Sequence, residues 1–192
     1  HVDDSWESYT VGLQACLCLD PKPVAIGEIG LDYFRLPKDE AKAAPLKANQ
    51  RGAFRYQLTL AKALGLPVIV HCRSAFADCV AEIDESGVEW SKVVFHCFAD
   101  GPNEMRQLME RGGRGSFTGI VTFGNAENVR EAALLQGLEK LMLETDSPYL
   151  APIPFRGKSN EPAYLPHIGA YLSKVFEEEE EKLAGITTRN TL

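Results

Sequence analysis

Leu66-Pro67-Val68-Ile69-Val70-His71-Cys72-Arg73 is the stretch on which the fold turns. Three apolar, β-branched residues, opened by a proline and closed by a histidine, are too few for a helix and suit a buried strand. The segment before it has a different period. Phe54, Leu58, Ala61 and Leu64 recur at spacings of three and four, as on one face of a helix, and Gly65 stops that helix just before the strand opens. A helix handing over directly to a short apolar strand is the unit of a parallel α/β sheet.

The same alternation extends in both directions. Upstream, residues 24–28 read as a strand entered through Pro21 and Pro23, followed by a polar loop over about 36–45. Downstream, the pattern predicts helices at 74–86, 103–110 (ended by Gly112-Gly113) and 125–135, with strands at 93–96, 116–121 and 141–144. A loop rich in proline and glycine covers 147–162, and a last helix covers roughly 165–183. Five short strands alternating with helices imply parallel pairing through helical crossovers, an α/β fold. No internal repeat or low-complexity linker divides the chain, so residues 1–192 are expected to form one domain.

Composition narrows the function. A net charge of −7 argues against a broad basic surface gripping duplex nucleic acid, yet leaves room for a small site where cations meet phosphate. No apolar run approaches the ~18 residues of a membrane span. Residues 177–181 are an unbroken glutamate run, expected to be a solvated helix face. The cysteines, Cys16, Cys18, Cys72, Cys79 and Cys97, are odd in number and form no C-x-x-C pair, against a zinc ribbon. Cys72 and Cys97 each follow a strand-end histidine and should point away from it. They read as packed thiols of a reducing, cytoplasmic compartment, or a nuclear one in a eukaryote.

Four of the five strands end in side chains able to hold a metal: Glu28, His71, His96 and the Glu144–Asp146 pair. In (β/α) barrels such strand ends carry the chemistry. Burying these groups without partners costs several kcal/mol each, and gathering them around cations removes that cost. Imidazole and carboxylate together suit zinc, manganese or similar divalent ions, and one glutamate can bridge two ions. Hydrolysis follows, because a divalent ion acidifies water, with Asp146 placed to orient that water or take its proton. Spacing alone does not choose between phosphodiester, amide and ester substrates.

Four segments carry a resemblance. They are Ala25-Ile26-Gly27-Glu28-Ile29-Gly30-Leu31-Asp32-Tyr33, the strand quoted first, Val94-Phe95-His96-Cys97-Phe98, and Leu143-Glu144-Thr145-Asp146-Ser147-Pro148-Tyr149-Leu150-Ala151-Pro152. In this order, with Arg156-Gly157-Lys158 and Asn160-Glu161-Pro162 beyond them, the sequence resembles the TatD family of metal-dependent deoxyribonucleases in the amidohydrolase superfamily. The resemblance implies a (β/α)8 barrel of the TIM type with two divalent ions (magnesium, zinc or manganese). Glu28 would bridge them, His71 and His96 would bind the second, and Asp146 would bind the first and assist the water. It also implies 3′-to-5′ nuclease activity on DNA, through single strands or ends, and no membrane partner.

One departure matters. The family's first strand ends in a His-x-His pair, which is absent here, and His1 is not a natural start residue. His1 resembles the end of a segment that follows the family's third strand. The chain is therefore expected to be an incomplete barrel, a fragment retaining the fourth to eighth strands and lacking the extreme C-terminus. Two alternatives stay open: hydrolysis of an amide or ester such as aminoacyl-tRNA, and a catalytically inactive fragment.

Other residues carry paired readings. Arg73 is a phosphate contact or the partner of a loop carboxylate. Arg156, Lys158 and Asn160 form a phosphate-binding loop, or a loop ordered by its own hydrogen bonds. Glu144 orients a ligand from behind or is paired structurally. Asp32 is expected to support the loop after Glu28 rather than touch substrate. Tyr33, Phe34 and Phe98 are expected to pack in the core rather than stack on bases, and His167 to lie on the surface.

Overall fold

The computed structural model describes residues 5–192, so His1 lies outside the described residues. The chain divides into two compact units, residues 1–94 and 95–192. Strands and helices alternate along it as the patterning requires, with five strands and parallel pairing in each unit. No helix among the described residues is long and apolar enough to cross a membrane.

In the first unit a short helix α1 (Thr10–Cys16) precedes strand β1 (Ile26–Asp32), the long helix α2 (Glu40–Leu64), strand β2 (Val68–Arg73) and helix α3 (Phe76–Ser86). Strand β3 (Val93–Phe95) lies at the junction of the units. Ile26, Ile29 and Leu31 of β1, Val68 and Val70 of β2, Phe54, Leu58 and Ala61 of α2, and Cys79 and Ile83 of α3 are buried together as the core. Leu64, fourth in the expected helical stripe, is exposed.

Two boundaries correct the sequence reading. First, β1 begins at Ile26 and runs past Glu28 to Asp32, pairing in parallel with β2 through Gly30↔His71, Leu31↔Cys72 and Asp32↔Arg73. Gly30 looks like a breaker but is what lets the backbones close: a Cβ there would sit 1.9 Å from the His71 carbonyl oxygen. Second, α2 starts at Glu40 and holds Pro45 inside it, so the loop ends well before residue 45. The Asp39 side chain accepts a hydrogen bond from the Ala41 N–H (3.0 Å) and caps the helix.

Helices α2 and α3 are clasped by charge. Glu82 is fully buried, and both Arg51 (Nε–Oε1 2.5 Å) and Arg55 (Nη2–Oε1 2.9 Å, with Nε on the other oxygen) donate to it. A carboxylate out of water survives only when its lone pairs are filled in this way.

The second unit holds α4 (Pro102–Arg111), β4 (Arg114–Phe117), α5 (Glu127–Gln136), β5 (Met142–Leu143), α6 (Leu165–Val175) and α7 (Glu180–Thr191). β4 and β5 pair in parallel at Ser116↔Met142 and Phe117↔Leu143. Phe98 and Phe117 meet edge-to-face at 6.1 Å over a core containing Met105, Leu108, Ile168 and Leu172. The buried Gln136 amide takes the Gly115 N–H (2.6 Å) and donates to the carbonyls of Gly115 (2.9 Å) and Lys140 (2.8 Å), splinting the two strands.

The fourth strand is shorter than its glycine-rich sequence suggests. It ends at Phe117, and Gly119–Thr122 is a 3-10 turn. Thr118 caps this turn through the Ile120 N–H (3.4 Å), and the Thr122 hydroxyl donates to the Gly119 carbonyl (2.7 Å). A Cβ on Gly119 would meet the Leu150 carbonyl at 2.1 Å, so the long loop after β5 packs directly on this glycine.

The expected last helix is two. The chain turns at Glu177 (φ 54), and the Glu178 N–H closes α6 on the Ser173 carbonyl (2.8 Å). The glutamate run is therefore not one helix face: Glu177, Glu178 and Glu179 lie between the two helices. Glu180 and Glu181 occupy the first turn of α7, where the helix dipole favours negative charge.

Candidate metal centre

In the first unit the parallel register gathers an imidazole and two carboxylates. Glu28, Gly30 and Asp32 alternate on one face of β1, and Gly30 lies beside His71. The His71 ring sits between two carboxylates. Glu28 Oε1 contacts His71 Nδ1, and Asp32 Oδ2 lies 3.5 Å from Nε2. The side chains are a third to a half exposed, so the cluster opens to solvent. Two carboxylates on one imidazole favour a cation among them, and the donor atoms of Glu28 and His71 are close enough to share one ion.

Asp32 is tied in place on its other oxygen, which accepts the Phe34 N–H at 3.0 Å. Gln50 brackets the same residue, donating to its carbonyl (3.0 Å) and accepting its N–H (2.8 Å). The expected support role of Asp32 holds, but its contact with His71 is missing from the sequence reading. The i, i+4 spacing of Glu28 and Asp32 on one strand face was the available signal. Tyr33 donates its hydroxyl to Asp78 (2.8 Å); burial, then that acceptor, holds its pKa well above the usual phenol range. Immediately past β2, Ser74 takes φ 55, an uncommon conformation for a residue with a side chain.

The second unit carries its own imidazole–carboxylate pair. His96 directly follows β3, and its Nδ1 lies 3.5 Å from Glu144 Oε2. The other oxygen of Glu144 accepts the Cys97 N–H (2.6 Å) and the Ser116 hydroxyl. Burial alone would raise the Glu144 pKa, but the hydrogen bonds from His96, Ser116 and Cys97 outweigh it and hold the carboxylate below its usual value. An ionised carboxylate beside Nδ1 restrains the imidazole, as carboxylates behind metal-binding histidines do. Glu144 thus faces His96 and is also paired with Ser116 and Cys97. Nothing in the sequence pairs Ser116 with it.

Asp146 has φ 55 and sits at the head of the loop after β5. The buried Asn160 amide donates to the carbonyls of Thr145 (2.7 Å) and Tyr149 (2.5 Å), and its N–H bonds the Pro148 carbonyl (3.0 Å). Asn160 therefore answers to the ordered-loop alternative: it clamps the backbone on both sides of Asp146. The Arg156 guanidinium lies 3.7 Å over the Phe123 ring, and the Lys158 ammonium 5.8 Å from Phe155. Arg73 stacks at 3.9 Å over Phe34. Phe98 is buried as expected, whereas Phe34 is exposed. His167 packs its ring edge-on against Phe155 at 5.0 Å.

None of the five cysteines forms a disulfide. Cys79 is buried against the His71 carbonyl (3.9 Å), and contact with Cys72, then burial, pushes its thiol pKa up. Cys72 and Cys97, expected to be packed, are partly buried, whereas Cys16 and Cys18 are exposed.

Parallel strands alternating with helices, with imidazole–carboxylate pairs at the strand ends, define an α/β protein of the metallohydrolase kind. The chain belongs to the TatD related DNase family, whose model matches residues 2–192. It is 41% identical over 167 residues to an Escherichia coli K12 protein named as an uncharacterized metal-dependent hydrolase, YcfH, covering 87% of this chain and 60% of that protein. A Citrobacter rodentium relative, named 3′-5′ ssDNA/RNA exonuclease TatD, is 35% identical and matches 99% of this chain and 72% of its own length. Among solved structures, the TatD homologue YJJV of E. coli superposes with a TM-score of 0.82 at 28% identity, covering all of this chain and 70% of that one. A TatD family hydrolase from Entamoeba histolytica gives 0.81 at 25% identity, covering 96% and 67%. The chain thus spans about 60% of the length of the curated relative YcfH.

Proposed function

We propose that the parent protein is a divalent-metal-dependent hydrolase that cleaves phosphodiester bonds of DNA, attacking single strands or free ends in the 3′-to-5′ direction. The observation that carries this reading is His71 held between Glu28 and Asp32, an imidazole–carboxylate set with the chemistry of a divalent-cation site. Family membership and a relative named as a single-strand exonuclease support the choice of bond. On this reading the two units form one hydrolase domain, and their strands correspond to the fourth to eighth of an eight-stranded barrel.

Glu28, His71, His96 and Asp146 would hold the metal, up to two ions, with magnesium, manganese and zinc as the candidates. The ions supply Lewis acidity that makes water a competent nucleophile near neutral pH and neutralises charge on the phosphodiester. The protein's part is positioning and proton transfer. Glu144 fixes His96, Asp32 and Glu28 fix His71, and Asp146 takes the proton of the attacking water. Arg73, Arg156 and Lys158 would meet substrate phosphates.

The test is a side-by-side assay of a 3′-labelled single-stranded oligodeoxynucleotide and an aminoacyl-tRNA with magnesium, manganese or zinc, and with EDTA. Stepwise cleavage of the DNA that EDTA abolishes, and that is lost in Glu28→Gln and His71→Ala, is the expected result. Deacylation without DNA cleavage would move the reading to esters, and no hydrolysis of either would overturn it.

A further inference from the structure

We propose that Phe34, backed by Arg73, is a stacking platform that receives a nucleobase of a single strand beside the Glu28–His71 pair; this deepens the DNA reading above and rests on it. Phe34 lies two residues past the end of β1 and is 59% exposed. An isolated exposed aromatic means little by itself. Here the ring is held on both the backbone and the face. Its N–H is fixed by Asp32, whose other oxygen faces His71 at 3.5 Å. The Tyr33 N–H bonds the Arg73 carbonyl at 2.9 Å, tying the loop to the end of β2. The Arg73 guanidinium lies 3.9 Å over the ring.

A planar cation over one face orders the ring and leaves the remaining exposed surface for a second planar group. A base offers a π-face of that size whatever its identity, so the platform is tolerant of sequence. Arg73 keeps N–H donors in its guanidinium plane while it stacks, which suits the phosphate attached to the same nucleotide. Base pairing would keep the base from lying flat on Phe34, so the platform selects unpaired ends. This gives an acidic chain a way to hold DNA without a basic surface.

Steady-state cleavage by metal-loaded enzyme tests it on two single strands, one intact and one with abasic residues at its 3′ end. For Phe34→Ala, KM for the intact strand should rise about 5- to 100-fold, the range that base–aromatic stacking supplies. The kcat should stay within twofold, Phe34→Trp should restore KM, and the abasic strand should show no effect. An unchanged KM for the intact strand, or an equal rise for both strands, overturns the platform while leaving the nuclease reading intact. If wild-type enzyme cleaves neither strand, the nuclease reading falls and the platform falls with it.

Discussion

Gly30 lies directly beside His71 in the parallel ladder of β1 and β2, and its missing side chain is the space that the strand pairing occupies. With φ at +149 and a virtual Cβ 1.9 Å from a carbonyl oxygen, no other residue fits there. Gly30→Ala should destabilise the protein by about 2–3 kcal/mol, the scale of a strained backbone site with a steric clash. It should also displace His71 from between its carboxylates. Urea unfolding monitored by circular dichroism checks the first outcome. A midpoint equal to wild type would mean that the register described here is wrong.

Asp32 and Glu144 hold different histidines and should fail in the same way. Removing the charge behind a ligand imidazole costs about 10- to 100-fold in metal affinity. Asp32→Asn and Glu144→Gln are each expected to weaken zinc or manganese binding by that factor in calorimetric titration, with the unfolding midpoint little changed for Asp32→Asn. Glu144→Gln should also lose some stability, because Ser116 and the Cys97 N–H lose a charged acceptor. Wild-type affinity in both variants would remove these residues from the site.

The site was legible in the sequence to the extent that strand periodicity fixes side-chain direction. Val68-Ile69-Val70-His71 reads as a strand because nothing else so short and apolar ends in a polar group, and the fold class follows from its repetition. What escaped depends on contacts across strands. Glu28 looked terminal because Gly27 and Gly30 flank it, yet the strand continues, since glycine there serves close backbone approach. The support role of Asp32 was readable, but its contact with His71 was not, for that needs the register of β2. Asn160 looked like a ligand contact because polar loop residues often are, whereas its amide is consumed inside the loop. The break at Glu177 has no breaker residue; it follows from α6 and α7 both burying an apolar face, with Ile168, Leu172, Leu183 and Ile186 in the core.

Asp100 gives the protein a stability term that runs against the usual carboxylate trend. Burial, then the charge of Glu104, raises its pKa above the ordinary value of 3.8. The folded state therefore binds this proton more tightly than the unfolded chain. Stability from this residue is complete below the unfolded pKa and is lost as pH rises through the folded one. Asp100→Asn should melt at a higher temperature than wild type at pH 7, and the difference should vanish near pH 3. Thermal melts across that range decide it; an Asn variant less stable at pH 7 would show that the ionised carboxylate is stabilising.

Glu82 tests the clasp between α2 and α3. Its side chain is fully buried while Arg51 and Arg55 are 35% and 54% exposed, so solvent weakens the attraction but the carboxylate bears the whole desolvation. Both guanidinium pKa values are raised, chiefly by hydrogen bonding to Glu82. Glu82→Gln keeps the shape, removes the charge, and puts an amide NH2 against two cationic donors. The expected loss is about 2–3 kcal/mol, below the 3–5 kcal/mol of a wholly buried pair because the arginines can rehydrate. Glu82→Met fills the volume without a polar group, frees both arginines to reach water, and should lose less than Glu82→Gln. If Glu82→Met proves the worse of the two in denaturant midpoint, the clasp is net stabilising beyond its geometry and the desolvation argument fails.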